Sequence, residues 1–186
     1  GYPYTVRLLI EYVLALDGLT VHTQATNVGE SACPFGGGFH PYFTLGTETV
    51  DSVILHVPAA TVVGADERGL PLEAAPVEGT EYDFRRPKPI GSTRFDHAFT
   101  DLVRDSDDLA RVALGGSHPG QGLEVWVDES YGYLQVFSGD PLPDVNRRSL
   151  AVEPMTCPAN AFRTGDGLMR LEPGESCTGA WGISRC

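Results

Sequence analysis

Three stretches set ionisable side chains on stiff backbone: "GGGFHPYF" at 36–43, "RFDHAF" at 94–99 and "AVEPMTCPANAF" at 151–162. In two of them the ionisable residue precedes a proline, His40-Pro41 and Glu153-Pro154, which biases it away from helix toward extended backbone. Proline also removes a ladder donor, so each is expected at a sheet edge, a bulge or a strand end, where a polar side chain can face a cleft. The chemistry open to an imidazole and carboxylates so placed is proton transfer, hydrogen bonding to a ligand, or metal binding. Zinc favours Cys or His ligands in close sequence pairs, whereas Cys33 and His40 are seven residues apart and Cys157 and Cys177 twenty. No metal is expected.

Taken singly, each residue has a plainer reading. His40 among aromatics reads as a hydrogen-bonded core or surface histidine, and Glu153 before proline as a solvated loop carboxylate. Asp96, between Phe95 and His97, reads as a turn cap acting through its own backbone. His22 and His56 sit in ordinary strand patterns, while His97 and His118 lie in loop stretches, and none of these four is given a role.

The elements that must position these groups are short. The 22 Gly and 14 Pro are spread along the chain and break it into strand-length segments, the rhythm of an all-β domain. "TVRLLIEYVLAL" ends at Asp17-Gly18, a favoured hairpin dipeptide, and "LTVHTQATNVG" resumes with Leu19, Val21, Thr23 and Ala25 alternating against Thr20, His22, Gln24 and Thr26. A β-hairpin with Asp17-Gly18 at its tip is expected. The runs "SVILHVPA", "TVVGAD", "RVALGG", "GLEVWVDES" and "YGYLQVFSG" read as further strands, and only "LLIEYVLAL" has spacing that a helix would also allow. Residues 73–99, with prolines at 76, 87 and 89, lack clean alternation and read as a long surface excursion.

A chain of 186 residues buries roughly 70% of the surface its unfolded form exposes, enough for one domain over residues 1–186. Thirteen Lys and Arg against 25 Asp and Glu give a net charge of -12, which argues against nucleic-acid and anionic-membrane partners and for a neutral or cationic small ligand. No stretch approaches the roughly 18 to 20 apolar residues of a membrane span, and Arg7 and Glu11 interrupt the N-terminal run where a signal peptide would be apolar. A cytoplasmic protein is expected. Four cysteines (33, 157, 177 and 186) are too sparse for a disulfide framework and read as free thiols.

Read in order, "GYPYTVRLLIEYVLALDGLTVHTQATN", "CPFGGGFHPYFTL", "RFDHAFTDL", "YLQVFSGDPLP" and "VEPMTCPANAF…LEPGES" resemble the aldose 1-epimerases, or galactose mutarotases. The likeness runs from the first residue to the last turn, and the pairing of H-P-Y-F with a distant E-P-x-T-x-x-P-N-A-F is its most specific part. It implies an antiparallel β-sandwich of the supersandwich type with a cleft for a pyranose sugar. It also implies His40 as general acid, Glu153 as general base, and Asp96 and Gln135 as sugar-hydroxyl ligands, with no cofactor. Interconverting sugar anomers requires a proton to leave O1 while another reaches the ring O5. Imidazolium and carboxylate, with ordinary pKa values of about 6.5 and 4.3, suit that exchange near neutral pH. Tyr42, Phe43 and Phe137 are candidates to stack on the sugar, though each also reads as sandwich core.

In the family, "GYPY" falls after an N-terminal sheet region that supplies an arginine and a second histidine to the sugar site. The resemblance therefore implies a sandwich incomplete at its N-terminal side, whether as a fragment, a truncated product or a short member. It also implies self-association through the edge where the missing strands would lie. Two alternatives stay open beside a free-sugar mutarotase. One is a hexose-6-phosphate 1-epimerase clamped by Arg85, Arg86 and Lys88 or by Arg147 and Arg148. The other is a carbohydrate-binding module without turnover. A glycoside hydrolase using Asp96 and Glu153 would leave His40 unexplained.

Overall fold

The alternating runs become strands of two stacked sheets in the computed structural model, which describes residues 1–116, 120–140 and 142–186. In chain order the strands are β1 (Val6–Ala15), β2 (Gly18–Asn27), β3 (Cys33–Phe35), β4 (Tyr42–Phe43), β5 (Ile54–His56), β6 (Ala59–Ala65), β7 (Pro71–Pro76), β8 (Lys88–Pro89), β9 (Asp96–Leu102), β10 (Ala110–Gly115), β11 (Gly122–Val127), β12 (Tyr133–Phe137), β13 (Leu150–Met155), β14 (Met169–Leu171) and β15 (Ser176–Arg185). One sheet runs β1-β2-β15-β11-β10-β5-β8, the other β4-β13-β12-β9-β6-β7, and β14 and β3 form a small ribbon. Every pair is antiparallel, so the architecture is the expected all-β antiparallel sandwich. Among the described residues the helical content is one turn, Ala161–Thr164, beside a short 3-10 turn at Val50–Ser52. His118 and Pro141 lie outside the described residues.

The core is where the two inner faces meet. Val21, Leu55, Val112, Leu114, Val125 and Val127 of the larger sheet join Phe99, Leu134, Val136, Leu150 and Val152 of the smaller in one apolar cluster. Period-two alternation places every second residue of these strands there and leaves the others on the outer faces.

Three sequence expectations are corrected. The first hairpin pairs from Val6↔Asn27 to Ala15↔Gly18, so its tip is Leu16-Asp17, not Asp17-Gly18. Gly18 is needed one step later, where a Cβ would run into the carbonyl oxygen of Ile183 on β15. Residues 73–99 are not a simple surface excursion, because Val77, Phe84, Ile90 and Phe95 drop into the core, each at most 2% exposed. Burial of each is worth roughly 2 kcal/mol and ties the segment down despite its prolines. His97 and Asp96, expected in a loop, belong to β9, whose Ala98 and Phe99 are buried.

The proline of "AVEPM" behaves as its missing donor requires. Pro154 lies in β13 beyond the two residues that pair with β4, and its carbonyl accepts from Phe39 N at 3.0 Å. Because a strand residue turns its nitrogen and carbonyl to the same side, the missing N–H faces the Gly36–Phe39 segment and costs β12 no bond.

β1 is the outer strand of the larger sheet, and both of its faces are open. Leu8, Leu9, Ile10, Tyr12, Val13 and Leu14 are all exposed. The four cysteines stand as free thiols. No helix among the described residues is long and apolar enough to cross a membrane.

Candidate active site

The outer face of the six-stranded sheet carries a cavity of about 570 Å³ in which the four candidate residues converge, His40, Asp96, Gln135 and Glu153. Three of them are brought together by strand register alone. Gln135 on β12 lies opposite Glu153 on β13 and Ala98 on β9, and Phe137 lies opposite Asp96. Residues directly opposite project from the same face, and Asp96 lies two positions before Ala98, so all point outward together. A slip of one residue would turn each of them into the core. Gln135 Nε2 donates to Asp96 Oδ1 at 2.8 Å, which orients the amide oxygen and the second carboxylate oxygen for a ligand.

His40 arrives from outside the sheet. The segment 36–41 runs along the free edge of β13: Thr156 N donates to the Gly37 carbonyl at 2.9 Å, Phe39 N to that of Pro154 at 3.0 Å, and Val152 N to that of Pro41 at 3.3 Å. Gly37 N completes the set by donating to Thr156 Oγ1 at 2.9 Å. The approach is too close for side chains. A Cβ on Gly36 would overlap Cys157 Sγ, and one on Gly38 would sit 2.9 Å from the Pro154 carbonyl oxygen. The glycines therefore serve close packing against β13, and Pro41 then turns the imidazole over the sheet.

That path sets His40 Nε2 3.1 Å from Glu153 Oε1. The imidazole side chain is 55% exposed and the carboxylate 11%, so the pair has one wet and one dry member. Among the described residues Glu153 is the single buried charged side chain. Burial, reinforced by the Asp96 charge, pushes its carboxyl up to about 7.

The aromatic candidates separate. Tyr42 stacks on the His40 ring, centroids 4.9 Å apart at 22°, and braces the imidazole. Its hydroxyl is pushed up by burial and by the Glu153 and Asp96 carboxylates. Phe43 is core, and Phe137 alone of the three lines the cavity. Sequence reading missed the remaining wall, which comprises Val63, Gly64 and Ala65 of β6 with Met155 and Cys157. Nothing in their residue types signals a ligand. His97 faces the other way, against Tyr82 at 4.2 Å, and burial lowers its pKa despite Asp96 and Glu81. Among the described residues no group of three or more His, Cys, Asp and Glu gathers as a metal ion would require.

The family model for aldose 1-epimerase matches residues 1–184. The chain belongs to the aldose 1-epimerase family. Uncharacterized protein YihR of Escherichia coli is 36% identical over 176 residues, covering 94% of this chain and 54% of that protein. Human galactose mutarotase is 31% identical over 143 residues, 69% of this chain and 40% of the relative. The chain thus spans about half the length of the curated relatives it matches. Among solved structures, galactose 1-epimerase from Lactobacillus acidophilus superposes with a TM-score of 0.79 at 23% identity, covering 100% of this chain and 58% of its own. The aldose epimerase homologue from C. elegans superposes at 0.85 with 18% identity, covering 100% and 61%. These two likenesses carry the sandwich fold.

Against this epimerase fold the five cations weighed as a phosphate clamp can be placed. None is among the residues lining the cavity. Arg85 forks onto Asp83 at 2.7 and 2.9 Å, Lys88 donates to the Glu81 carbonyl at 3.2 Å, and the Arg147 guanidinium is enclosed by protein acceptors. Arg86 and Arg148 are exposed away from the cavity.

Proposed function

We propose that this chain interconverts the α and β anomers of a free aldohexose, with galactose or glucose as the type of substrate. The observation that carries the reading is the 3.1 Å contact between a half-exposed imidazole and a buried carboxylate at the floor of a sugar-sized cavity. Glu153 takes the proton of the O1 hydroxyl as the C1–O1 bond gains double-bond character. The C1–O5 bond breaks, and His40 delivers its proton to O5. Rotation about C1–C2 exposes the other face of the aldehyde. Closure reverses both transfers, returning the proton from O5 to His40 and the one on Glu153 to O1, so acid and base are restored within each turnover.

Asp96 and Gln135 grip ring hydroxyls, the carboxylate accepting and the amide both donating and accepting. Proton transfer between positioned side chains accounts for every bond change. Among the described residues no Lys or Arg lines the cavity, which supports an unphosphorylated sugar over a sugar phosphate. Polarimetry of freshly dissolved α-galactose and α-glucose tests the proposal: the rotation should relax faster than in the buffer blank. An unaccelerated relaxation with sugar bound would instead favour the binding-module reading.

Residues 1–186 act in this proposal as one domain, and the open β1 strand is where a second copy would pair. An outer strand with unpaired backbone groups and both faces apolar is a template for strand addition. Sedimentation velocity at micromolar concentration should report a dimer or larger species, and Leu9→Lys with Val13→Lys should shift it to monomer. A monodisperse monomer of the unsubstituted chain would rule out pairing.

A further inference from the structure

The two proposed hydroxyl ligands stand at one end of the β9–β12 pair, and that end is closed by a partly buried ring of polar groups outside the cavity. Phe95, immediately before Asp96, is held at both backbone groups by Ser138: Phe95 N donates to Ser138 Oγ at 2.8 Å, and Ser138 N donates to the Phe95 carbonyl at 3.0 Å. The Ser138 hydroxyl donates onward to Asp140 Oδ2. Asp140 is chelated by Arg147, whose Nη1 reaches Oδ1 at 2.9 Å and Oδ2 at 3.1 Å. Arg147 then returns to the chain that leads into β9. Nη1 donates to the Thr93 carbonyl at 3.1 Å and Nη2 to the Gly91 carbonyl at 2.7 Å, while Nε holds Asp51 Oδ1 at 2.7 Å.

The ring Phe95–Ser138–Asp140–Arg147–Thr93 is therefore closed, and its members are shielded to different degrees. Ser138 is fully buried, and the Arg147 and Asp140 side chains are 14% and 17% exposed. Arg147 also holds a left-handed backbone, φ 54°, which a non-glycine residue keeps only where its surroundings impose it. A planar fork whose three nitrogens reach five acceptor oxygens in three chain segments fixes their relative position in a way that a lysine point charge does not. What lies just inside the ring is Asp96, one residue from Phe95, and Gln135, three residues from Ser138, joined at 2.8 Å.

We infer that Arg147, acting through Asp140 and Ser138, is a positioning residue for the sugar-hydroxyl grip of Asp96 and Gln135. This rests on the proposed role of those two residues. His40 and Glu153 are set by the Gly36–Pro41 segment and β13, so loosening the ring should weaken sugar binding and spare proton transfer.

The test uses Ser138→Ala and Arg147→Lys in the full chain, with Asp96→Asn as reference. Affinity for galactose is read by titrating the Gln135 side-chain amide in ¹H–¹⁵N spectra, a readout that does not require turnover. Both ring variants should raise Kd and KM about tenfold, as expected for a charge-assisted hydrogen bond lost from its best geometry, with kcat changed less than about twofold. The Gln135 amide protons should also exchange faster with solvent, because their Asp96 acceptor is no longer held. Should Arg147→Lys not fold, Ser138→Ala decides, since it removes one hydroxyl and keeps the Ser138 backbone bond to Phe95. If Asp96→Asn leaves affinity unchanged, the hydroxyl-ligand reading itself fails. If Asp96→Asn weakens binding while both ring variants lower only the melting temperature, with Kd and the Gln135 amide as in the unsubstituted chain, Arg147 is structural and the inference is overturned.

Discussion

Glu153→Gln is expected to slow anomer exchange by about 10²- to 10⁴-fold, the usual contribution of a positioned general base, while sugar binding changes little. Glutamine keeps the shape of the side chain and can still hydrogen-bond to O1, but it cannot take the proton. Exchange measured by NMR on the unsubstituted chain and the variant at equal sugar concentration reads the effect directly, and equal rates would remove Glu153 from the mechanism.

The same substitution has a stability signature whose sign follows from burial. The carboxyl is raised from 4.5 to about 7 in the folded chain, so between those values the folded state keeps a proton that the unfolded chain has released. Stability of the unsubstituted protein should therefore be greatest below about 4.5 with respect to this group, fall as pH rises through the window, and level off above about 7. The cost is on the order of 3 kcal/mol. Glu153→Gln should melt higher than the unsubstituted chain above neutrality and lose that advantage in acid. The pattern is that of a group kept under strain for its chemistry.

How much of this was legible depended on whether the cause was local. Prolines after His40 and Glu153 announced stiff backbone; Tyr42, after Pro41, begins β4, whereas Glu153 lies inside β13, paired with Gln135. The first hairpin was legible to within one residue, because two-residue turns and alternation are short-range signals. β9 was not legible: Asp96, His97 and Asp101 interrupt its apolar residues, and only its pairing with β12 and β6 makes it a strand. β15 was missed for a similar reason. Gly179 and Gly182 interrupt its apolar pattern, and they lie where a Cβ would meet Ser130 and Trp126, so the glycines admit neighbours to a central strand. The Arg147 ring was beyond reach, since its partner Asp51 lies 96 residues away. For the cavity, the family resemblance picked out the four candidates, β-register brings three of them together, and the 36–41 segment brings His40.

His40→Gln is the second large effect, and it separates the acid from the base. Without the imidazole, water must protonate O5, and the rate should fall by about 10²-fold or more. Burial and the Asp96 charge hold the Glu153 carboxyl high, and neither depends on His40. The residual rate should therefore still climb as pH rises through about 7, as Glu153 sheds its proton and becomes a competent base. A variant that lost the site by misfolding would show no such limb. The imidazole is 55% exposed, so His40→Gly, unlike the similarly sized glutamine, opens a gap that solvent reaches. Free imidazole in the buffer should then restore part of the rate in His40→Gly and none in Glu153→Gln, whose glutamine still fills the buried place on β13. Rescue of neither variant, with the His40→Gln rate at its unsubstituted value, would transfer the acid role to another group on the cavity wall.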